Sequence, residues 1–367
     1  MKIGVITCHN ALNHGARLQV YALSAYLESQ GHQVTIIDYR PRYMTFNVKL
    51  LYWPGSSVKE WAKLFLHILR RRSLIIRHKN FETYSNKFLN RSLIVYNDLT
   101  QLRENPPEAD IYIAGSDQIW NVLLPNGSDR AYYLEFGKND VLRVSYAASF
   151  SIPNVEDRFI PFLRQRLRNF DYISVRERSA LNILEDLGVS GQKVVDPVFL
   201  VSKDEWIKKF IGSTDAGESY ILVYDVMNCS RIRRIAEKLS KIHSCPIYSI
   251  GSYKLKYADK NFDTSPPDKF VELIYNAKTV ISNSFHATAF AMMFNKEFFV
   301  VNRSDGLNER MVDLLKEYGL LSRLIDDNFE EDDLNMEIDY RAFNEKISAE
   351  IDQSKLFLRN VTLNIHE

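Results

Sequence analysis

The sequence has few cysteines, almost no net charge and no long apolar run, and each shortage excludes a class of protein. Its three cysteines, Cys8, Cys229 and Cys245, are odd in number and lack metal-ligand spacing, which favours a reduced, cytoplasmic protein. The net charge of +1 at pH 7 gives no electrostatic footprint for nucleic acid. No apolar run reaches the roughly 18 residues of a membrane-spanning helix. Because the chain opens directly on a strand pattern, we expect no signal peptide either.

The length of the chain and its alternating pattern predict two domains. A chain of 367 residues is long for a single hydrophobic core. It opens with a strand at Lys2–Thr7, an amphipathic helix at Gly15–Gln30 and a strand at Gln33–Asp38, which together form a βαβ unit. A polar passage at 202–219 indicates a linker, and the alternation then restarts at 220–226. We therefore predict an α/β fold of two doubly wound, Rossmann-like domains that face a central cleft.

The same pattern sets the domain limits. We place the first domain at 1–203, the second at 218–345, and a C-terminal helix at 346–367 that can pack back on the first domain. Parallel strands joined by helices direct their carboxyl ends to one edge of a sheet, where ligands bind in such folds. Further segments of the first domain with a strand pattern are Asp110–Ala114, Arg143–Ala147, Asp171–Val175 and 194–201.

Polar residues cluster where four of the strands end. Any one of them has a structural explanation, as a helix cap, a surface ion pair or a turn. Four groups at the same edge are harder to explain in that way, and they predict one polar cleft between the domains. The groups are Asn10, Asn13, His14, Gly15, Arg17 and Gln19 after the first strand, Ser116 and Asp117 after Asp110–Ala114, Arg176, Glu177 and Arg178 after Asp171–Val175, and Ser284, Phe285 and His286 after 279–282.

The stretch SNSFHATAF, residues 282–290, places a histidine on the first turn of an apolar helix. A single histidine in such a place is more often a hydrogen-bonded core residue than a ligand. However, the first helical turn carries unpaired backbone N–H groups and partial positive charge, which attract an anion. Ser284 is placed to cap the helix and His286 to contact an anion, while Arg176 adds a cation that can fork onto carboxylate or phosphate. Together they predict a small, strongly anionic ligand.

Six short segments follow one another in a characteristic order: NHGARLQVYAL, GSDQIWN, SYAASF, FDYISVRE, VVDPVFL and SFHATAF. In this order they resemble the polysaccharide pyruvyl transferase family over nearly the whole chain. The resemblance implies a GT-B-like arrangement, with two Rossmann-like domains around a cleft. It also implies transfer of a pyruvyl group from phosphoenolpyruvate to two hydroxyls of a sugar, in a capsule or exopolysaccharide or in a lipid-linked precursor. The product is a cyclic ketal plus phosphate, and no cofactor is implied.

The resemblance also implies roles for particular residues. Arg176 and His286 are expected to contact phosphoenolpyruvate, and the first domain to bind the acceptor. His286 is then the general acid or a phosphate ligand, and Asp117 is the base or a ligand of the sugar hydroxyls; the sequence does not separate these roles. The other residues expected to bind substrate are Asn13, Gly15, Gln19, Ser116, Arg178, Ser284 and Phe285.

The chain departs from the family pattern at one position. Several members have an arginine two residues before the histidine, where this chain has Ser284. We therefore expect the donor anion to be shared with another cation, for which Arg178, Arg303 and Arg17 are the candidates.

Two other functions stay open. The same fold serves sugar-nucleotide glycosyltransferases, which a base-and-ribose pocket in the second domain would favour. The other alternative is a non-catalytic relative that binds or assembles glycans, for which Ser284 is the one supporting sequence feature. A nicotinamide enzyme is disfavoured, because the first turn has one glycine where a dinucleotide fold has GxGxxG.

The segment 58–79 has the pattern of a basic amphipathic helix. Apolar residues repeat at helical spacing from Trp61 to Leu69, and seven Lys/Arg stand against one Glu. Such a helix can rest on the inner face of an anionic membrane, where a lipid-linked acceptor is found. The alternative is a helix packed on the core with a solvated basic face, which is the more common outcome for this pattern.

Overall fold

The computed structural model describes residues 1–44, 58–212, 218–302, 309–325, 334 and 337–363, and of 58–70 and 309 the helical backbone alone. The first half of these residues forms a five-stranded parallel sheet in the order β3-β2-β1-β4-β5. Its strands are β1 Lys2–Ile6, β2 Gln33–Tyr39, β3 Arg91–Tyr96, β4 Ile111–Ala114 and β5 Leu142–Ser145. Its helices are α1 His14–Ser29, α2 Val58–Phe88, α3 Leu99–Glu104 and α4 Ile160–Leu167.

A small parallel pair stands next to β5 and leads to the second half. It consists of β6 Ser174–Val175 and β7 Gln192–Lys193, joined by α5 Arg178–Asp186 and followed by α6 Lys203–Phe210. The sequence pattern predicts a longer strand, Asp171–Val175. Strand β6 is shorter than this, and between β5 and β6 serine side chains form hydrogen bonds with the backbone: Ser174 Oγ donates to Ser145 O at 2.8 Å, and Ser145 Oγ donates to Ser174 O at 3.0 Å.

The second half forms a six-stranded parallel sheet in the order β10-β9-β8-β11-β12-β13. This is the strand order of a doubly wound Rossmann fold. Its strands are β8 Ile221–Tyr224, β9 Ile247–Ile250, β10 Lys260–Phe262, β11 Thr279–Ser282, β12 Glu297–Val301 and β13 Leu324–Ile325. Its helices are α7 Ser230–His243, α8 Pro267–Asn276, α9 Phe285–Met293, α10 Glu309–Glu317 and α11 Tyr340–Leu363.

The passage predicted as a linker, 202–219, is partly helical. Ser202 and Glu205 form a reciprocal capping box at the start of α6. Trp206, on this helix, is fully buried, donates to Val198 O at 3.0 Å and packs edge-on against Phe290 in the second half. The sequence pattern did not indicate the helix at 203–210, because the polar residues of this short helix obscure a single large buried ring.

The run 194–201, predicted as strand-like, contains a 3-10 turn at Pro197–Leu200 instead. Pro197 has no N–H to donate to a sheet ladder, which excludes it from a central strand. Asp196 caps the turn by accepting the Val198 N–H at 3.1 Å. The turn therefore fixes the position of the Asp196 carboxylate.

Side chains that cross between the two halves hold them together. Arg77, on α2, is buried and donates to the carbonyl oxygens of Gly251 and Asp263 in the second half. His14, at the start of α1, stacks on Phe270 with ring centroids 5.1 Å apart. These contacts bring the start of α1, which follows β1, against the second half at the edge where β11 ends.

The C-terminal helix α11 returns to the first half of the chain. Ser354 Oγ accepts the backbone N–H of Val195 at 2.9 Å, and Glu350 pairs with Lys193 at 2.9 Å. Tyr146 and Phe357 lie with their rings 6.4 Å apart. The last helix thus covers the segment that carries Asp196. The helix begins at Tyr340, earlier than the sequence pattern predicts.

Candidate active site

Asp196 lies at the centre of the polar residues that the two halves bring together. Its side chain is fully buried, and Oδ2 accepts a hydrogen bond from Arg176 Nη1 at 2.7 Å. The same oxygen lies 3.4 Å from Ser116 Oγ and 3.5 Å from His286 Nε2. One carboxylate therefore joins the loops that follow β4, β6 and β11, from both halves of the chain.

The charges around Asp196 keep it ionised. Burial by itself would raise the pKa of this carboxyl, but the neighbouring His286 and Arg176 outweigh burial and hold the pKa well below its usual range. A buried carboxylate that is charged and paired on two sides is a rigid support for its partners. Asp196 thus orients an arginine and a histidine toward the same place.

Arg176 is a buried cation with unused hydrogen-bonding capacity. Burial would lower its pKa, but Asp196, Glu177 and Asp117 outweigh that effect and raise it, so the guanidinium is always charged. Its side chain is 2% exposed, and neither Nε nor Nη2 makes a hydrogen bond to the described residues. Buried donors are almost always satisfied in native proteins. An unsatisfied buried guanidinium nitrogen is therefore unusual: Nη2 has no partner among the described residues, and Nε faces Glu177 Oε2 at 3.6 Å, beyond hydrogen-bond distance.

Two guanidinium groups lie over the ring of Phe285. Arg176 Cζ is 4.3 Å from the ring centroid, and Arg310 Cζ, on α10, is 5.8 Å away. Arg310 Nη1 is also 3.4 Å from Asp117 Oδ1. Burial would raise the pKa of Asp117, but Arg310, Arg176 and His286 outweigh it and lower that pKa, so Asp117 is ionised.

Asp117 has a backbone conformation that residues other than glycine rarely adopt. Its φ is +84°, and its carbonyl oxygen accepts the N–H of Ser149 at 3.1 Å. Glu177 holds the same loop, because its Oε1 accepts from Ser149 Oγ at 2.7 Å and from the N–H of Ser151 at 3.0 Å. Strained backbone of this kind is concentrated at functional sites. The loop after β5 and the loop after β6 thus fix Asp117 together.

The position of His286 depends on Gly15. A Cβ atom at position 15 would lie 2.1 Å from His286 Nδ1 and 2.2 Å from Cγ, so the imidazole rests directly on the first turn of α1. Only glycine allows this approach. His286 itself is 4% exposed, and its Nε2 is at the long limit of a hydrogen bond to Asp196.

The structure brings together six of the residues proposed from sequence: Gly15, Ser116, Asp117, Arg176, Phe285 and His286. It gives two others, Asn13 and Gln19, local roles. Asn13 caps α1 by accepting the Ala16 N–H at 3.2 Å, and Gln19 donates to Thr7 Oγ1 at 3.2 Å. Ser284 stands at the N-cap position of α9, but its side chain does not make the capping hydrogen bond that the sequence suggests.

The cations expected to replace the arginine missing at position 284 lie elsewhere. Arg178 is exposed at the start of α5. Arg17 is buried and pairs with Glu82 at 3.1 Å, away from Asp196. Arg303 lies outside the described residues. His14 is also structural: burial, then the charge of Arg77, lower its pKa well below the usual range, and it stacks on Phe270 as a neutral ring.

Asp196 and Arg310 were not among the residues that the sequence suggested for the site, and Glu177 was placed in the polar cleft without a role. A signal for Asp196 was present, since an Asp-Pro pair interrupts an apolar run at 194–201. Glu177 stands beside Arg176 in the predicted cluster, but nothing local shows that it holds another loop. Nothing in the sequence around Arg310 indicates that it belongs to the site. Its place there depends on the packing of α10 against the first half of the chain.

Comparison with known protein families decides what this arrangement belongs to. The family model described as polysaccharide pyruvyl transferase matches residues 13–305. The chain belongs to the polysaccharide pyruvyl transferase family. The match includes each of the residues from Gly15 to His286 described above, and it confirms the family predicted from the six segments. No curated protein matches the sequence.

Solved structures of this shape confirm the predicted GT-B-like α/β fold. A UDP-N-acetylglucosamine 2-epimerase from Rickettsia bellii is 13% identical, with a TM-score of 0.52, and the match covers 100% of this chain and 97% of that one. An α-glucosyltransferase solved with UDP and a 13-mer DNA is 10% identical, with a TM-score of 0.50 and coverage of 97% and 93%. At such identities the likeness shows the fold alone. It leaves the chemistry of this family member to its site.

Proposed function

We propose that this pyruvyl transferase takes the pyruvyl group from phosphoenolpyruvate and joins it to two hydroxyls of a sugar, forming a cyclic ketal and releasing phosphate. The observation that carries the proposal is the buried Arg176 guanidinium, whose Nε and Nη2 make no hydrogen bond to the described residues. It stands next to His286 on the first turn of α9. A cation, an imidazole and helix-end N–H groups together suit a small ligand with carboxylate and phosphate groups.

The chemistry requires one acid and one base. In the first step a proton goes to the methylene carbon of phosphoenolpyruvate, C2 becomes electrophilic, and a sugar hydroxyl adds to C2 and loses its proton. In the second step another hydroxyl attacks C2, the C–O bond to phosphate breaks, and phosphate leaves with a proton. His286 is our candidate for the acid or the phosphate ligand, and the ionised Asp117 for the base or the hydroxyl ligand.

The acceptor is proposed to bind to the first domain, at 1–203, and the donor between it and the second domain, at 218–345. The domain limits stay predictions, as does a lipid-linked form of the acceptor. Ser116, Asp117 and the start of α1 all lie at the carboxyl edge of the first sheet, beside the donor residues Arg176 and His286. This position supports a sugar hydroxyl that approaches C2 from the first domain.

The test is phosphate release from phosphoenolpyruvate by the purified protein with a panel of nitrophenyl and lipid-linked sugars. We expect release that depends on one acceptor of the panel and yields a pyruvylated sugar. Failure of the protein to bind phosphoenolpyruvate in calorimetry would refute the proposal without reference to the acceptor.

One observation favours a second candidate, a nucleotide-sugar glycosyltransferase. A cavity of about 1060 Å³ lies where β8 and β9 end, and its lining includes Tyr253, Tyr257 and Arg233. Its volume is that of a small-molecule site, roughly 300–1,000 Å³. Thermal stabilisation by uridine diphosphate at low concentration, together with no response to phosphoenolpyruvate, would favour this candidate.

A further inference from the structure

The charge balance around Asp196 calls for a second cation in the donor site. Among the described residues, Arg176 is the arginine or lysine closest to Asp196, and its Nε also lies 3.6 Å from Glu177 Oε2. Phosphoenolpyruvate adds both a carboxylate and a phosphate to this neighbourhood. The loop that carries His286 has no lysine or arginine, since it reads Asn283, Ser284, Phe285, His286. One guanidinium that is already opposed by two carboxylates does not balance such a ligand.

We propose that Arg310 is the second guanidinium that binds the donor anion, an inference that rests on the proposed function. Arg310 is 9% exposed and lies over the ring of Phe285, as Arg176 does. The shared ring sets the two cations in one neighbourhood, at centroid distances of 4.3 Å and 5.8 Å. Cation–π contact offsets part of the cost of burying both charges in the absence of ligand. When the donor binds, its two anionic groups lie between two forked donors.

Contacts of the helix α10 with the first half of the chain fix the position of the Arg310 side chain. Arg310, Asp313 and Glu317 are spaced three and four residues apart, so they share one face of the helix. Each contacts the first half of the chain: Arg310 lies 3.4 Å from Asp117, Asp313 Oδ2 accepts the Ser179 N–H at 2.9 Å, and Glu317 pairs with Lys193 at 2.8 Å. A helix of the second half therefore contacts the first half across the cleft at three positions along its length. This arrangement makes Arg310 part of a site that the two halves complete together.

The test is calorimetric binding of phosphoenolpyruvate to wild type and three variants. Arg310→Met keeps the apolar packing on Phe285 and removes the charge, and it should weaken binding by roughly 10- to 100-fold, the worth of a charged hydrogen bond. Arg310→Lys keeps the charge without the fork and should lose less. Lys316→Met makes the same charge change on an exposed residue of the same helix and should bind as wild type does.

A separate variant distinguishes ligand binding from support of Asp117. Asp117→Asn removes a carboxylate beside the anion and leaves Arg310 in place, so it should bind phosphoenolpyruvate equally or more tightly while its turnover falls. If Arg310→Met and Asp117→Asn weaken binding alike, Arg310 acts only through Asp117 and the inference is overturned. Wild-type affinity in a folded Arg310→Met protein overturns it as well. If wild type itself does not bind phosphoenolpyruvate, the proposed function fails and this inference fails with it.

Discussion

Gly15 shows how one missing side chain positions a functional one. Alanine is normally better than glycine in a helix by about 1 kcal/mol. In α1, however, a Cβ at position 15 would lie 2.1 Å from His286 Nδ1, so Gly15→Ala must move the imidazole or the helix. Because a misplacement of about 1 Å can lower a rate about 100-fold, we expect turnover to fall by that order.

The measurement is turnover of Gly15→Ala beside Gly251→Ala. Among the described residues, a Cβ at position 251 would have only Asp225 O within 4 Å, at 3.8 Å, so that variant has room there for the extra methyl group. Wild-type turnover in a stable Gly15→Ala protein would show that the position of His286 does not matter.

The role of His286 is tested by His286→Asn, which keeps a polar side chain and removes the group that can transfer a proton. General acid–base groups contribute about 10²–10⁴-fold, so turnover should fall by that order with little change in melting temperature. Intact binding of phosphoenolpyruvate would make His286 the proton donor, and weakened binding would make it a phosphate ligand. If the variant is unstable but fully active per folded molecule, His286 is a core residue.

Asp196 should be visible in the pH dependence of stability. Its pKa is lowered in the folded state, so the ionised form stabilises the fold above the unfolded-state pKa of about 3.9, and that stabilisation is lost as the pH falls. Asp196→Asn leaves Arg176 buried without its charged partner, which should cost about 3–5 kcal/mol at neutral pH. The difference in the free energy of unfolding between wild type and this variant should shrink below about pH 4, by at most 1.4 kcal/mol per pH unit. Urea unfolding at several pH values measures this free-energy difference. A difference that does not change with pH would contradict a lowered pKa for Asp196 in the folded protein.

At the scale of elements, α2 combines contact with the second half and exposed apolar residues. Arg77 is buried, and Ser73 Oγ donates to Asp263 Oδ2 at 2.6 Å. Ile75 and Ile76 are nonetheless 49% and 41% exposed. The side chains of 58–70, where most of the predicted amphipathic pattern falls, lie outside the described residues. No helix among the residues described is both long and apolar enough to span a membrane. Contact of α2 with a membrane surface therefore stays a proposal.

Liposome flotation tests this proposal. If the basic residues of α2 bind anionic lipid, wild type should float with acidic vesicles and remain below neutral ones, since each basic residue near the surface contributes about 1 kcal/mol. The triple variant Arg70/Arg71/Arg72→Glu should lose flotation. If wild type does not float with acidic vesicles, α2 is a packed helix with a solvated basic face.

The elements that the sequence predicts best are those whose pattern is local. The strand–helix–strand opening is found within a few residues of the predicted bounds, and a helix follows β11 as predicted, because apolar spacing decides both. The pattern gave the wrong structure at 194–201 and did not indicate the helix at 203–210. There, a proline without an N–H and one buried tryptophan decide the structure, and both act through contacts distant in sequence. Arg310 escaped prediction for the same reason.

At the scale of the whole molecule, the site exists because two doubly wound halves meet at their carboxyl edges. Arg176, Asp196 and Asp117 come from the first half, and His286, Phe285 and Arg310 from the second. Two pairs of side chains cross the cleft, Arg310 with Asp117 and His286 with Asp196. The position of one half against the other therefore depends on the charges of these side chains. A donor bound between them, as we propose, would contact both halves.

The most direct test of pyruvyl transfer is analysis of the product formed in deuterium oxide. The purified protein, phosphoenolpyruvate and the acceptor found by phosphate release should give a sugar heavier by one pyruvate less one water, in amounts equal to the phosphate released. Nuclear magnetic resonance should show a single solvent deuteron in the methyl group of the ketal, because the methylene carbon takes its proton during the reaction. Phosphate release without a pyruvylated sugar, or a product whose methyl group carries no deuteron, would contradict the account.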